Sequence, residues 1–290
     1  MTFWEIFIQP FVEFAFMQRA LIGSIALALG CAPLGTFLML RRMSLMGDAI
    51  AHGLLPGVAA GFLLAGFSVP AMSLGGLLAG ITMALAAGAL SRVTRLREDA
   101  SLAAFYLVSL ALGVVMVSAR GSNVDLLHLL FGAVLALDHT TLLLVSGVTS
   151  ITLAGLALIY RPLVAECFDP GFLRAIGGRG SLAHMGFLVL VVLNLVGGFQ
   201  AMGTLMAVGL MMLPAIVARL WASTLEGMMA IAIMVAMISG YTGLLLSFHA
   251  GLPSGPAIVL MAGAGLLVSL LAGRFSSMRA WLRTPTHTQG

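Results

Sequence analysis

Apolar runs of about 20 residues, interrupted by short polar or Gly/Pro-containing breaks, fill this chain. That length is what a helix needs to cross the hydrocarbon of a bilayer. The runs predict spans at 20–40, 48–66, 70–90, 100–118, 140–160, 184–199, 201–220, 227–247 and 253–273. Nine crossings result, or eight if the stretch around Gln200 is not split. Apolar–polar alternation of period two is absent, which removes a β-barrel. The predicted fold is an all-α polytopic membrane protein.

Two pieces do not fit the span pattern. DLLHLLFGAVLAL, 125–137, is too short to cross and reads as a re-entrant or surface helix. MTFWEIFIQPFVEFAF carries an aromatic face without the basic start of a secretory signal, so residues 1–19 read as a retained interfacial segment. The membrane domain then covers 20–273, with its longest inner loop at 161–183. Residues 274–290 form a basic tail with a frayed end.

Composition agrees with the pattern. The 290 residues are 61% hydrophobic and only 8% charged, with a mean hydropathy of +1.12, far from the roughly 25% charged residues of a soluble domain. All 14 cationic side chains are arginine. With the N-terminus outside, every arginine except Arg19 and Arg120 falls in an inner loop, an inner span end or the tail, as the positive-inside rule requires. The basic balance therefore needs no nucleic-acid partner. Without lysine there is no Walker A loop, so the chain does not bind ATP by that route. Cys31 and Cys167 are far apart, form no CxxC pattern, and read as small apolar residues of the membrane region.

The chemistry concentrates in RRMSLMGDAIAHGLLPGVAAGFLL, residues 41–64. Asp48 and His52 are four residues apart and share a helix face, which Pro56 and Ala60 continue. Pro56 cannot donate to the carbonyl of His52, so a kink is expected there. Beside this row run Ala49, Gly53, Gly57 and Gly61, small residues that let another helix approach closely. Asp48 either caps the helix N-terminus or, with His52, forms a functional intramembrane pair. Carboxylate plus imidazole suits zinc, manganese or ferrous iron. Two ligands make half a tetrahedral zinc shell, and a two-fold pairing through the glycine row would supply the other half.

Elsewhere, RPLVAECFDPGFLRAIGG, 161–178, has Asp169 and Pro170 placed to start a short helix and Gly177 to end it. It reads as an ordinary loop helix or as a docking knob for a cytoplasmic partner. Asp125 and His128 share a face on the outer side, and Asn194 lies within a span; these three are pathway candidates, with a solvated face or a helix–helix hydrogen bond as the plainer alternatives. Asp138 and His139 read as a span cap. His184 and His249 sit near span ends.

At this point the sequence resembles the integral-membrane permeases of zinc and manganese ABC importers. The resemblance is carried by residues 41–64, REDASLAAFYLVSLALGVVMVS (97–118), NVDLLHLLFGAVLAL (123–137), ECFDPGFLRAIGG (166–178) and GTLMAVGLMMLPAIVARL (203–220), in that order. It implies a permease subunit in the plasma (inner) membrane, paired as a homodimer or pseudo-dimer. Its partners would be two cytoplasmic ATPase subunits and a periplasmic or lipoprotein metal-binding protein. It also implies that Asp48 and His52 hold the transported ion transiently, and that Phe168, Asp169, Arg174 and Gly177 belong to a helix coupling the permease to the ATPase. No permanent cofactor is expected, and ATP hydrolysis belongs to a separate chain. Zinc is favoured as cargo, manganese next. The rival readings are a secondary ion-coupled metal carrier and an intramembrane metal-dependent enzyme; the absence of HExxH and GxSxG weighs against the enzyme.

Overall fold

Every predicted span forms a helix. The computed structural model describes residues 3–43, 45–66, 68–94, 98–118, 137–168 and 180–273. Among the described residues, nine helical segments are long and apolar enough to cross a membrane. Two short helices, α1 (Phe3–Phe7) and α2 (Gln9–Glu13), precede them. The spans are α3 (Ala15–Leu40), the pair α4 (Met46–Gly53) and α5 (Leu55–Ala65), α6 (Val69–Val93), α7 (Glu98–Ser118), α8 (His139–Phe168), α9 (Gly180–Met202), α10 (Thr204–Trp221), α11 (Leu225–Ala250) and α12 (Ser254–Ala272).

Three boundaries differ from the sequence reading. The first long helix starts at Ala15 rather than at residue 20, directly after extended Phe14, which ends α2. The break between the sixth and seventh spans falls at Gly203, with φ +89°, rather than near Gln200; glycine takes that backbone region at no steric cost. Helix α8 continues through Arg161 and Pro162 to Phe168, so the first part of the predicted inner loop is helical. Its 30 residues extend about 45 Å at the helical rise, against about 30 Å of hydrocarbon. Helix α8 is therefore longer than a perpendicular crossing needs, and its excess is taken up by tilt or by extension beyond the hydrocarbon.

Lipid is as apolar as leucine, so helices in a bilayer associate through close packing and hydrogen bonds rather than through the hydrophobic effect. Helix α3 sits at the centre: 72% of its apolar window is buried, against 17% for peripheral α7. Phe37 of α3 is fully buried and meets Phe187 of α9 and Tyr160 of α8 edge-on, at 6.0 and 6.1 Å between ring centres. At Gly35 a Cβ would strike the carbonyl of Met211, so α3 and α10 touch backbone to backbone.

Polar side chains inside the bundle join helices. Thr149 of α8 donates to the carbonyl of Ala26 on α3 at 2.9 Å. Asn194 of α9 donates to the Thr152 hydroxyl of α8 and to its own helix at Leu190, the latter at 3.0 Å. Gln200 donates to Ser73, linking α9 to α6. The N-terminal helices are held by α11: the Tyr241 hydroxyl donates to the carbonyl of Phe7 at 2.6 Å, Phe11 stacks on the Tyr241 ring, and His249 lies 3.0 Å from the carbonyl of Ile6.

Candidate functional site

The chain turns sharply between α3 and α4, and this turn places Asp48. The Arg42 N–H donates to the Met39 carbonyl at 3.0 Å and the Met43 N–H to the Leu38 carbonyl at 2.8 Å. This is the paired-bond ending of a helix whose chain turns left-handed just beyond the C-cap. Arg42 occupies that left-handed position with φ +58°, where glycine is the usual residue. Met43 and Leu38, both buried, supply the apolar contact that accompanies such an ending.

Helix α4 follows. Its N-cap is Leu45, whose side chain makes no capping bond. Asp48 is the third helical residue, so of the two readings of this residue the helix cap is not the one the structure shows. Its charge still stands in the first turn, where the helix dipole favours an anion. One turn later, His52 Nε2 lies 3.5 Å from Asp48 Oδ1. The Asp48 side chain is 64% exposed and that of His52 32%. In a membrane-spanning chain, such an open carboxylate–imidazole pair must be covered by a partner protein, water or an ion.

The predicted break is present: α4 ends at Gly53 and α5 begins at Leu55, with Pro56 in its first turn. Helix α7 supports the break. The Ser109 hydroxyl donates to the Gly53 carbonyl at 3.1 Å, and Gly113 packs against Leu55 and Pro56. From the same helix, the Tyr106 ring stands 6.1 Å from the His52 ring, tilted by 42°. Tyr106 was not singled out by the sequence, where AFYL is one apolar stretch among many; only its spacing of three residues before Ser109 could have marked it.

The glycine row is a tight helix contact, but with α6 of the same chain. A Cβ on Gly57 would run into the carbonyl of Gly75, and one on Gly61 would lie 2.5 Å from the carbonyl of Ala71. Gly53 abuts Met83, also on α6. A two-fold pairing of chains through this row, as the sequence suggested, is therefore sterically closed.

The other predicted residues do not gather at Asp48. Asn194 is fully buried against α3 and α8, where its amide leaves no room for a side chain at Gly30. Asp138 does cap α8, accepting from the Thr141 N–H at 2.8 Å. Hydrogen bonding from Thr141 holds its carboxyl below the usual carboxylate range. Phe168 ends α8 and is exposed. Asp125, His128, Asp169, Arg174 and Gly177 lie outside the described residues. Among the described residues, no cluster of three or more His, Cys, Asp or Glu side chains is placed to hold a metal. One further charged contact was not anticipated: Arg92, at the inner end of α6, donates to Glu166 of α8 at 3.1 Å. Its only sequence signal is an acidic residue at the end of a long apolar helix.

Comparison with known proteins fits this architecture. The chain is 34% identical over 257 residues to the manganese transport system membrane protein MntC of Halalkalibacterium halodurans, covering 88% of this chain and 87% of that one. It is 32% identical over 263 residues to the chelated iron transport system membrane protein YfeD of Yersinia pestis, covering 91% and 87%. Among solved structures, PsaBC from Streptococcus pneumoniae in complex with Fab superposes with a TM-score of 0.81 at 29% identity, over 95% of this chain and 98% of that one. A putative metal-chelate type ABC transporter in an inward-facing conformation shares the fold, with a TM-score of 0.71 at 13% identity. The model of the ABC 3 transport family matches residues 13–273, and the chain belongs to that family, as a multi-pass transport subunit of the plasma membrane rather than an enzyme.

Proposed function

We propose that this chain is the permease of an importer for a divalent transition metal, manganese first and zinc second, and that Asp48 and His52 are its transient ligands. The observation that carries the reading is the pair itself: a carboxylate and an imidazole 3.5 Å apart on an open helix face within the membrane region. Both are ligands for borderline divalent ions, and too few ligands per chain favours release over retention.

Zinc's advantage in the sequence was a four-ligand shell assembled through the glycine row. That row is packed on α6. An ion held here takes its remaining ligands from water or from a second permease subunit meeting the open face of α4. Manganese accepts such oxygen ligands readily. Relatives whose names specify manganese and chelated iron also favour it. ATP-hydrolysing subunits on the cytoplasmic side drive the cycle, engaging a segment from Phe168 through Asp169 and Arg174 to Gly177. A separate binding protein outside delivers the ion, and a second copy of the chain completes the pore.

Uptake of radioactive manganese and zinc by cells carrying the complete transporter tests this, with the native chain and the Asp48→Ala/His52→Ala variant in parallel. Loss of manganese uptake at unchanged membrane abundance is expected. Loss of zinc uptake alone would reverse the choice of ion. Unchanged uptake of both would remove Asp48 and His52 from the pathway.

A further inference from the structure

Helices α6 and α8 run in the same direction, from the outer side to the inner. Both pack against α9, and they are not packed against one another along their length. Toward the outer side they stand apart, leaving a cavity of about 670 Å³. Ser73 and Leu77 of α6 form one wall, Leu144 and Val148 of α8 the other, and Val196 and Gln200 of α9 the floor. At the inner side the same two helices are bridged by Arg92 and Glu166, 3.1 Å apart. The Glu166 side chain is only 9% exposed and Arg92 31%. The two helices are thus separated by a cavity toward the outer side and bridged toward the inner side by the Arg92–Glu166 ion pair.

We propose that the Arg92–Glu166 pair is an inner latch between these two helices, holding α8 to α6 while the chain faces outward and letting α8 swing away when it parts. The inference rests on the importer reading above and adds to it a route for the driving force. Glu166 lies two residues before the end of α8, and the inner loop that follows is the segment assigned to the ATPase. A pull on that loop acts first on the end of α8. If the pair holds, α6 moves with it, and α6 grips α5 backbone to backbone at Gly75 and Gly57. If the pair opens, α8 moves alone. A charge pair suits this switching role, because both partners regain hydration at the membrane surface when they separate, whereas an apolar contact has no second state of comparable energy.

The test uses the complete transporter, permease with its ATPase partners, in proteoliposomes. Cys167 is partly buried beside Glu166 and is a native reporter, while Cys31 is fully buried. Glu166→Gln and Arg92→Gln should each raise the rate of Cys167 labelling by a membrane-impermeant maleimide several-fold. Each should also raise the ATP hydrolysed per ion moved. The reversed pair, Arg92→Glu with Glu166→Arg, should return both readouts to within about twofold of the native complex. Native labelling and coupling in the single variants overturn the proposal. So does a reversed pair that assembles and melts like the native complex yet stays uncoupled. Should the single variants fail to assemble, Arg92→Cys/Glu166→Cys in a Cys167→Ser background decides: bridging the two thiols with a short bifunctional maleimide should stop transport, and continued transport overturns the latch. A native complex that moves neither manganese nor zinc would refute the importer reading, while the labelling comparison still decides the latch.

Discussion

Gly57 of α5 and Gly75 of α6 lie so close that a Cβ on either would meet the other's carbonyl. This contact fixes the height and rotation of α5 and, through the break at Leu54, the direction in which α4 presents Asp48 and His52. No side chain can be accommodated there without parting the helices, and overpacking of this kind costs about 1–3 kcal/mol. Gly75→Val should lower the melting temperature of the purified permease and reduce metal uptake at least tenfold. Gly147 of α8, which has open space at its Cβ position, provides the control: Gly147→Ala should melt and transport like the native chain. Equal behaviour of the two variants would show that the α5–α6 contact is not what positions the site.

Arg42 is a second position where geometry and residue type disagree. It holds the left-handed turn at the end of α3 with φ +58°, a conformation that costs a non-glycine residue roughly 1–2 kcal/mol. Arg42→Gly should therefore leave the melting temperature unchanged or raise it. Arg42→Val, β-branched and ill suited to this region, should lower it. A lower melting temperature for Arg42→Gly would mean that the arginine side chain contributes more than the turn costs.

The spans, their order and the break at Pro56 were legible because each follows from local rules: the length of apolar runs, arginine placement and the missing N–H of proline. The glycine row was legible as a tight contact but not as a contact with α6. Small residues report that something approaches closely and carry no information about which helix it is. For the same reason Tyr106 and the Arg92–Glu166 pair were missed. Arg92 and Glu166 are 74 residues apart in sequence, and only the packing of α6 and α8 on α9 brings them together. Gly203 was misplaced by three residues because Gln200, the more polar residue, drew the boundary, whereas backbone conformation decides it.

Asp138 gives a pH-dependent prediction at the outer end of α8. Hydrogen bonding from the Thr141 side chain first, and from the Thr141 N–H second, holds its carboxyl below its ordinary value. A carboxylate lowered in the folded state contributes stability above its unfolded pKa, about 3.9, and loses it as pH falls through the lower folded value. Amide exchange at Thr141 and Leu142 should therefore be slow at neutral pH and quicken, relative to the rest of α8, only below the ordinary carboxylate range. Asp138→Asn keeps an acceptor and should abolish that acid-dependent step. If the native chain shows no such step, the cap is not what orders this helix start.

Asn194 distinguishes a structural polar residue from one that lines a pathway. It is fully buried, donates to Thr152, and stands against Gly30 of the central helix. Hydrogen bonds of this kind within membranes contribute about 0.6 kcal/mol on average and up to about 2. Asn194→Leu should consequently lower the melting temperature by a few degrees while manganese uptake per folded molecule stays within about twofold of native. Thr152→Val should do the same, and the double variant should cost little more than either alone, because the two share one bond. An uptake loss of tenfold or more in Asn194→Leu at native stability, without a matching loss in Thr152→Val, would instead place Asn194 on the route of the ion.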